Sequence, residues 1–358
     1  TAIWLAKTLV GLGEFEQARS LYEETLDIQR QLLSPEDNDV LSTLELLGTC
    51  LSAEGRWQEA DNLFLEGLEV ARRNFGEADH RTFSLRAECG AMAGLQGRWQ
   101  EAATHIAPCL SAHGTDTVDA EWCYLAYAPV LVRLGDMSAY RSVCKRAAEL
   151  YADAKDPRTA ERICRACLLA PAGGELLASV ERMREVLELG QRKWEPAEDY
   201  YKPWGMIALA LLEYRGHNWE RSLDWCQEAL EQSRQRFDTE LVTNRSRVIY
   251  PHAMEVPRDA ATTLIGHGHR IAVRDSLVKV EVGTAIGRLP KGVSQTSIQD
   301  DLAKAELRKV ETLLDDVWSA PGNGRTTQNW AEWEFAAILR DEARREIGQQ
   351  AAVINLSN

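Results

Sequence analysis

The clearest candidates for chemistry are Cys164 and Cys167, the only Cys-x-x-Cys pair in the sequence. Such a pair can bind zinc or exchange a disulfide, but zinc needs two further ligands at a recognisable spacing and a redox pair needs a neighbouring βαβ unit. The sequence around the pair offers neither. Because Ile163, Cys167 and Leu168 follow helical spacing, we predict that both thiols pack in a core, and we interpret most of the eight cysteines in the same way.

A second candidate is His267-Gly268-His269, which could offer two imidazoles to a metal ion. No cysteine or carboxylate completes a ligand set at a recognisable spacing, so the pattern favours a polar loop. A metal-dependent enzyme with its site around His252, His267 and His269 is the alternative hypothesis.

Two acid pairs, Asp300-Asp301 and Asp315-Asp316, complete the set of candidates. The first pair precedes an Ala/Leu-rich helix, where carboxylates favour the positive end of the helix dipole. There is no Gly-x-Ser-x-Gly turn to present a nucleophilic serine. We therefore predict no catalytic residue, no cofactor and no metal site, and we expect that this chain is not an enzyme.

Bulk composition narrows the class of partner. The 358 residues are 45% hydrophobic and 27% charged, with a net charge of −14, which argues against a protein that binds nucleic-acid phosphates. No stretch approaches the roughly 18 uncharged apolar residues of a membrane span. We expect a cytoplasmic protein, and because Thr1 already lies in a helical pattern, we expect a piece of a longer polypeptide.

A repeat supplies the elements that would position any site. The motif Gly-x-aromatic-x-x-Ala occurs at Gly13, Gly55 and Gly97, always 42 residues apart. Fixed periods of this length are the signature of solenoids. Before each glycine, and again after it, apolar residues recur at helical spacing, as in Leu44, Leu47, Gly48 and Leu51. The pattern predicts two amphipathic helices that meet at a glycine turn.

These residues resemble the tetratricopeptide repeat (TPR), and the 42-residue spacing is similar to that of kinesin light chains. The resemblance implies an all-α, TPR-type α-solenoid, a right-handed superhelix of antiparallel helix pairs, regular over residues 1–112. One departure is that kinesin-light-chain repeats usually carry asparagines on the first helix, where this chain has Glu45, Leu46 and Thr49. We therefore do not carry over their mode of peptide binding.

The rest of the chain is less regular. We predict divergent helix pairs over residues 113–237, with a turn at Gly135 and another at Gly216 that holds one inserted residue. Residues 238–300, rich in proline and glycine, predict a loop or small β-containing insertion. Residues 301–350 predict helices that close the array, and residues 351–358 a tail.

Three segments give a second resemblance, to repeat regions that follow serine/threonine kinase domains in planctomycete-type bacterial proteins: residues 140–144, residues 156–171, and the ending 301–347 with its stretches 330–336 and 340–343. The resemblance implies a bacterial signalling protein with a kinase upstream. The kinase motifs themselves are absent from this sequence, so we expect no kinase activity from it.

The predicted groove lies on the first helix of each pair, on the face that packing does not use. Its candidate contacts share helical spacing or lie 42 residues from one another: Lys7, Ser42, Glu45, Thr49, Ser52 and Ser84. The set lacks the Lys/Asn clamp of chaperone-binding repeats, so chaperone docking is not predicted.

The leading hypothesis is a protein-interaction scaffold that binds a peptide or helix of a partner protein. Stacked helix pairs create an extended concave surface suited to such a ligand. Nucleic acid, membrane and small-molecule partners are not expected. Besides the metal enzyme, a sensor region of a transcriptional regulator is an alternative, although no basic helix-turn-helix is visible.

Overall fold

A computed structural model describes residues 2–12, 14–111, 120–171, 173–193, 202–218, 308 and 330–357, together with most of 221–232. The described residues contain helices and no strand, which confirms the all-α prediction. They form two compact units, the first mainly residues 1–120 and the second mainly residues 121–234 and 331–358.

The described part of the first unit contains three helix pairs. Their bounds are α1 (Ala2–Leu12) with α2 (Phe15–Leu32), α3 (Asn38–Ala53) with α4 (Trp57–Phe75), and α5 (His80–Leu95) with α6 (Trp99–Ile106), which continues as a 3-10 turn, Ala107–Ser111. Each helix contacts the next in sequence. On α3 the predicted packing face is buried, as expected: Leu44, Leu47, Gly48 and Leu51.

The turns between paired helices share one geometry. Gly55 has φ 78°, its N–H bonds to the Ser52 carbonyl at 3.0 Å, and the next N–H, of Arg56, bonds to the Leu51 carbonyl at 2.9 Å. The turn at Gly97 is the same, with φ 71°. A positive φ is strained for residues with a Cβ, which explains the glycine at this step of the repeat.

The long second helices account for the extra length of the repeat. Helix α4 has 19 residues, and Gly76 with φ 84° ends it. Asp37 and Asp79 then begin α3 and α5, because each carboxylate accepts a hydrogen bond from the N–H two residues later, at 2.9 and 3.0 Å. Each cap thus ends the loop that follows a second helix and starts the next pair.

Trp57 and Trp99 are the aromatic residues of the repeat motif. Both indole rings are half-buried at the first position of α4 and α6. At the start of a helix the side chain lies beside the turn rather than in the middle of the interface. They contribute to packing from its edge.

The second unit begins with another pair, α7 (Ala120–Leu134) and α8 (Met137–Leu150), joined at Gly135 with φ 71°. The elements that follow are α9 (Pro157–Leu168), α10 (Gly174–Glu181), α11 (Arg184–Lys193), α12 (Lys202–Arg215) and α13 (Trp330–Ser357). Helix α9 starts with Asp156 as its cap and Pro157 in its first turn, a favourable combination for helix initiation. Helix α13 runs past residue 350, where we expected a tail to begin.

The turn after α12 corrects the sequence interpretation. His217, not Gly216, has the positive φ, at 60°. Its N–H bonds to the Tyr214 carbonyl at 3.1 Å, and the Asn218 N–H bonds to the Glu213 carbonyl at 2.8 Å, the pattern seen at Gly55 and Arg56. The turn therefore contains no inserted residue, and His217 takes the place of the turn glycine.

We expect His217→Gly to raise the free energy of unfolding by about 1 kcal/mol, because glycine adopts this backbone conformation without the clash of a Cβ. Urea denaturation of the two chains measures the change. The matched control is Gly135→Ala, which places a Cβ at φ 71° with no other atom within 4 Å and should lower stability by a similar amount. If His217→Gly is destabilising, the backbone assignment of this turn is wrong.

The remaining sequence predictions fall outside the described residues. They are the irregular segment 238–300 with His252, His267 and His269, the acid pairs at Asp300-Asp301 and Asp315-Asp316, and most of the closing segment before Trp330.

Candidate functional site

The predicted groove residues of the first unit lie on α1, α3 and α5. Ser42 and Lys7 are exposed, and Glu45, Thr49 and Ser84 are half-buried. The structure brings Glu45 and Ser84 together, since the Ser84 hydroxyl donates to Glu45 Oε1 at 2.6 Å and so links α3 to α5. The Thr49 hydroxyl donates to the backbone carbonyl of Glu45 at 2.9 Å. Four of these side chains thus mark a polar surface across two neighbouring first helices.

The structure corrects the prediction for Ser52. Its side chain is fully buried, so the prediction that it faces a ligand in an open groove is wrong. The residue 42 positions later, Gly94, is also buried, and the Trp330 ring lies where a Gly94 side chain would be: an added Cβ would meet the ring at 2.5 Å. This repeat position is therefore buried on both α3 and α5, and the exposed polar residues lie on the preceding turns.

We expect Ser52→Ala to raise the free energy of unfolding by about 1 kcal/mol. The Ser52 hydroxyl oxygen is buried without a hydrogen-bond partner among the described residues, and such a group contributes a desolvation penalty that alanine lacks. Thermal unfolding monitored by circular dichroism measures it. Ser42→Ala, at an exposed hydroxyl, is the control and should change stability by less than about 0.5 kcal/mol.

One groove residue was missed by the sequence analysis. Trp4 lies on α1, 42 residues before Leu46 of α3, and is 72% exposed. The Lys7 ammonium nitrogen lies 5.4 Å from the centre of its ring. The repeat period, applied to Leu46 as it was to Ser42, would have found it. The open surface thus includes an aromatic ring and a cation on α1 and the Glu45 carboxylate on α3, groups that can bind both apolar and charged side chains of a peptide.

In the second unit two helices carry an arginine near their last turn. Arg133 precedes the turn residue Gly135 by two positions, and Arg215 precedes His217 by two, the position that buried Ala53 holds before Gly55. Both guanidinium groups point to α13. Arg133 donates to Glu334 at 2.8 Å and to Asp341 at 3.1 Å, and Arg215 donates to Glu342 Oε2 at 2.8 Å. These two arginines of the second unit thus bind carboxylates of the same chain.

The carboxylates near Arg133 and Arg215 favour the charged form of both guanidinium groups. Burial alone would lower the pKa of Arg133, but the carboxylates of Glu334 and Asp341 outweigh burial and the pKa is raised. The pKa of Arg215 shows the same balance, with Glu342 as the dominant favourable partner. Glu342 also accepts from the Tyr214 hydroxyl at 3.1 Å. Charge-assisted hydrogen bonds of this kind are stronger than hydrogen bonds between neutral groups.

The Cys-x-x-Cys pair proves to be core, as predicted. Cys164 and Cys167 are both fully buried in α9. Burial raises the pKa of Cys164, and a hydrogen bond with Cys144, together with burial, raises that of Cys167. Because the thiolate is the reactive form, neither side chain is poised as a nucleophile or metal ligand.

Two wider features of the described residues bear on function. No group of three or more His, Cys, Asp or Glu side chains within them is placed to hold a metal ion. None of the helices described combines the length and the apolar character that crossing a membrane requires.

Comparison with known proteins gives three results. No curated protein matches this sequence. Two similar solved structures contain the nearly identical TPR-like repeats of a kinesin light chain from Podosopora anserina, the second being a variant of the first. Both are 16% identical, with a TM-score of 0.46, and they cover 54% of this chain and 96% or 95% of their own length.

The family model of the tetratricopeptide repeat matches residues 1–73 and again 41–111. These ranges coincide with the three helix pairs of the first unit, α1 to α6. Residues 1–111 therefore consist of tetratricopeptide repeats, and the described residues of both units are helical.

Proposed function

We propose that the first unit is a protein-interaction module that binds a peptide or helix of a partner protein on the open surface of α1, α3 and α5. The observation that carries the proposal is the division of α3: its apolar face is buried, whereas Ser42, Glu45 and Thr49 form a polar strip that is exposed or half-buried. Tetratricopeptide repeats generally mediate contacts between proteins, which supports this assignment.

The groups on this surface suggest how a partner is oriented. Glu45 is held by Ser84 on the neighbouring helix, so its carboxylate is fixed before a ligand arrives. Preorganisation of this kind reduces the entropy lost on binding. On α1, Lys7 can pair with an acidic residue of the ligand, and the exposed Trp4 ring beside it offers the type of side chain that most often anchors a protein interface.

The test is capture of partner proteins from the native cell with the wild-type chain, with Glu45→Arg and with Glu24→Arg. Glu24 is an exposed glutamate on α2, a second helix outside the groove, and gives the same change in charge. We expect Glu45→Arg to lose a partner that Glu24→Arg retains. If the two variants capture the same proteins in the same amounts, the open surface of α3 is not the binding site.

We further propose that the chain is the regulatory or substrate-recruiting region of a cytoplasmic bacterial signalling protein, with a serine/threonine kinase domain upstream. The resemblance of residues 140–144, 156–171 and 330–343 to such proteins supports this context. Reading the complete gene on both sides of this sequence tests it directly. A gene without an upstream kinase domain would contradict the proposal.

A further inference from the structure

We propose that the side of α1 that carries Leu5 and Thr8 is a docking surface for a second helix of the same repeat, supplied by a further helix pair immediately before Thr1 in the same polypeptide. This side differs from the open surface that includes Ser42 and Glu45, and the inference does not rest on the function proposed for that surface. Equivalent positions of α1, α3 and α5 differ in burial, and this difference carries the proposal.

Leu5 is exposed, although the residues that take its place in the next two repeats are buried. The exposed fraction of Leu5 is 53%, whereas it is 4% for Leu47, one period of 42 residues later, and 1% for Cys89, two periods later. Thr8 lies on the same side of α1 and is also exposed, whereas Cys50, its equivalent on α3, is fully buried. The repeat therefore buries this side of α3 and α5 and leaves it open on α1.

On α3 and α5 the second helix of the preceding pair covers this side. The Cys50 thiol donates a hydrogen bond to the backbone carbonyl of Phe15, the first residue of α2, at 3.4 Å. Gly67 of α4 lies so close to α5 that an added Cβ would meet the Leu85 side chain at 2.9 Å. Within the described part of the chain, α1 packs on α2, the helix that follows it. The occupant that fits its open side is a helix placed on α1 as α2 is placed on α3.

The composition of α1 is that of a helix inside an array. Terminal repeats of a soluble array carry a polar outer face. Helix α1 instead has eleven residues of which Lys7 alone is charged, and it exposes Leu5 on the side in question. Covering this side removes apolar surface from water, which drives docking.

The turn after α1 indicates the charge of the docked helix. Arg98, in the turn after α5, donates to Asp61 of the preceding second helix, α4, at 2.7 Å. One repeat earlier, Arg19 has the position of Asp61 and donates to Glu54 in the turn after α3 at 3.1 Å. Opposite charges thus meet where a turn faces the preceding second helix. Glu14 has the position of Arg98 and is exposed, so the docked helix should carry a basic residue at the position of Asp61.

The complete gene provides the first test. Thr1 is equivalent to Thr43 of α3 and to Leu85 of α5. Arg19 and Asp61 each precede the respective residue by 24 positions, so we expect Lys or Arg 24 positions before Thr1, within an amphipathic helix. A gene without this helix pair overturns the inference. Whether a kinase domain lies further upstream is a separate outcome, which bears only on the proposed function.

The second test adds such a helix and measures what it covers. A copy of residues 15–42 joined directly before Thr1 leads into α1 in the register in which α2 leads into α3. Hydrogen exchange followed by mass spectrometry reports the protection of the amides of residues 2–12 in the natural chain and in the extended chain. We expect exchange in α1 to slow at least tenfold in the extended chain, because the added helix packs on it.

Leu5→Asp distinguishes docking from the mere removal of a free helix end. In the extended chain it should abolish most of the added protection, because a carboxylate then faces the added helix. In the natural chain, where Leu5 is exposed, it should change the exchange rate less than twofold. The matched control is Leu32→Asp in the original α2, at a leucine that is 77% exposed, and it should leave the added protection intact. Equal protection of the extended chain with and without Leu5→Asp would overturn the inference.

A reversal of charge tests the expected basic residue. The copied segment brings an arginine, the copy of Arg19, to the place that faces Glu14. Its replacement by glutamate should reduce the added protection at least threefold, because two carboxylates then meet, and Glu14→Arg in the same chain should restore it. Protection that is independent of this charge would overturn the inferred pairing of Glu14 with the docked helix.

Discussion

Replacing Arg165 with methionine is expected to lower the free energy of unfolding by about 3–5 kcal/mol. Arg165 and Glu161 are one helical turn apart on α9, both are 2% exposed, and Nε of Arg165 lies 2.6 Å from Glu161 Oε2. The substitution leaves the Glu161 carboxylate buried without the guanidinium that it faces. Removing one partner of a buried ion pair is among the most costly changes that a single substitution can make.

The surroundings of Arg165 increase the loss. Its guanidinium lies 4.4 Å from the centre of the Trp204 ring on α12, a cation–π contact that methionine cannot make. Helix α12 packs on α9, so the contact joins the two helices. Chemical denaturation followed by tryptophan fluorescence and by circular dichroism measures the change.

The double variant Glu161→Leu/Arg165→Met distinguishes two contributions to the lost stability. One is the cost of burying the Glu161 carboxylate without Arg165, and the other is the net contribution of the ion pair. It removes both charges and keeps a similar apolar volume, so most of the lost stability should return. Arg158→Met is the surface control, because Arg158 is 44% exposed beside Asp156 and such pairs contribute about 0–1 kcal/mol. A double variant as unstable as Arg165→Met would mean that the guanidinium matters through other contacts.

The spacing of apolar residues and turn glycines predicted the helices of the first unit well, for a physical reason. In a repeat, each helix packs against helices that are close in sequence. The helical spacing that identifies the buried face of α3 therefore also indicates which neighbouring helices this face contacts; its residues are Leu44, Leu47, Gly48 and Leu51. Turn glycines at Gly55 and Gly97 mark the ends of the helices because of their backbone conformation. Fold and repeat boundaries are therefore both present in short stretches of sequence.

The errors arise where packing depends on distant residues. Ser52 has the spacing of a groove residue, but its burial depends on what covers that end of α3, which short-range periodicity does not record. The pairing of Arg133 with Glu334 and Asp341 spans about two hundred residues and has no local signal at either end. These long-range contacts of the second unit could not be anticipated for this reason.

The sequence prediction for the turn at His217 was wrong for a different reason. The prediction assumed that the turn residue with positive φ is a glycine and therefore chose Gly216. One inserted residue was then needed to align the following helix with the other repeats. The positions that follow keep the standard spacing when His217 is used instead: Ser222 then matches Ala60, and its hydroxyl bonds to the Ala210 carbonyl at 2.8 Å. Counting back from the second helix would have identified the residue.

Gly48→Ala is the second substitution with a large expected effect, a loss of about 2 kcal/mol. A Cβ on Gly48 would lie 2.6 and 2.7 Å from two ring carbons of Phe64, which belongs to the facing helix α4 and is fully buried. Alanine raises helix propensity by up to about 1 kcal/mol, but overpacking in a core costs about 1–3 kcal/mol and here the ring has no room to move. The steric clash therefore outweighs the gain in helix propensity, and the substitution is destabilising.

Two further variants test that explanation. Gly174→Ala should be neutral or stabilising by up to about 1 kcal/mol, because no atom lies within 4 Å of its added Cβ and only helix propensity changes. Phe64→Leu removes the ring, so the cost of Gly48→Ala measured in that background should fall, and a double-mutant cycle gives the coupling. Equal costs of Gly48→Ala with Phe64 and with Leu at that position would show that the close approach of α3 and α4 does not require glycine.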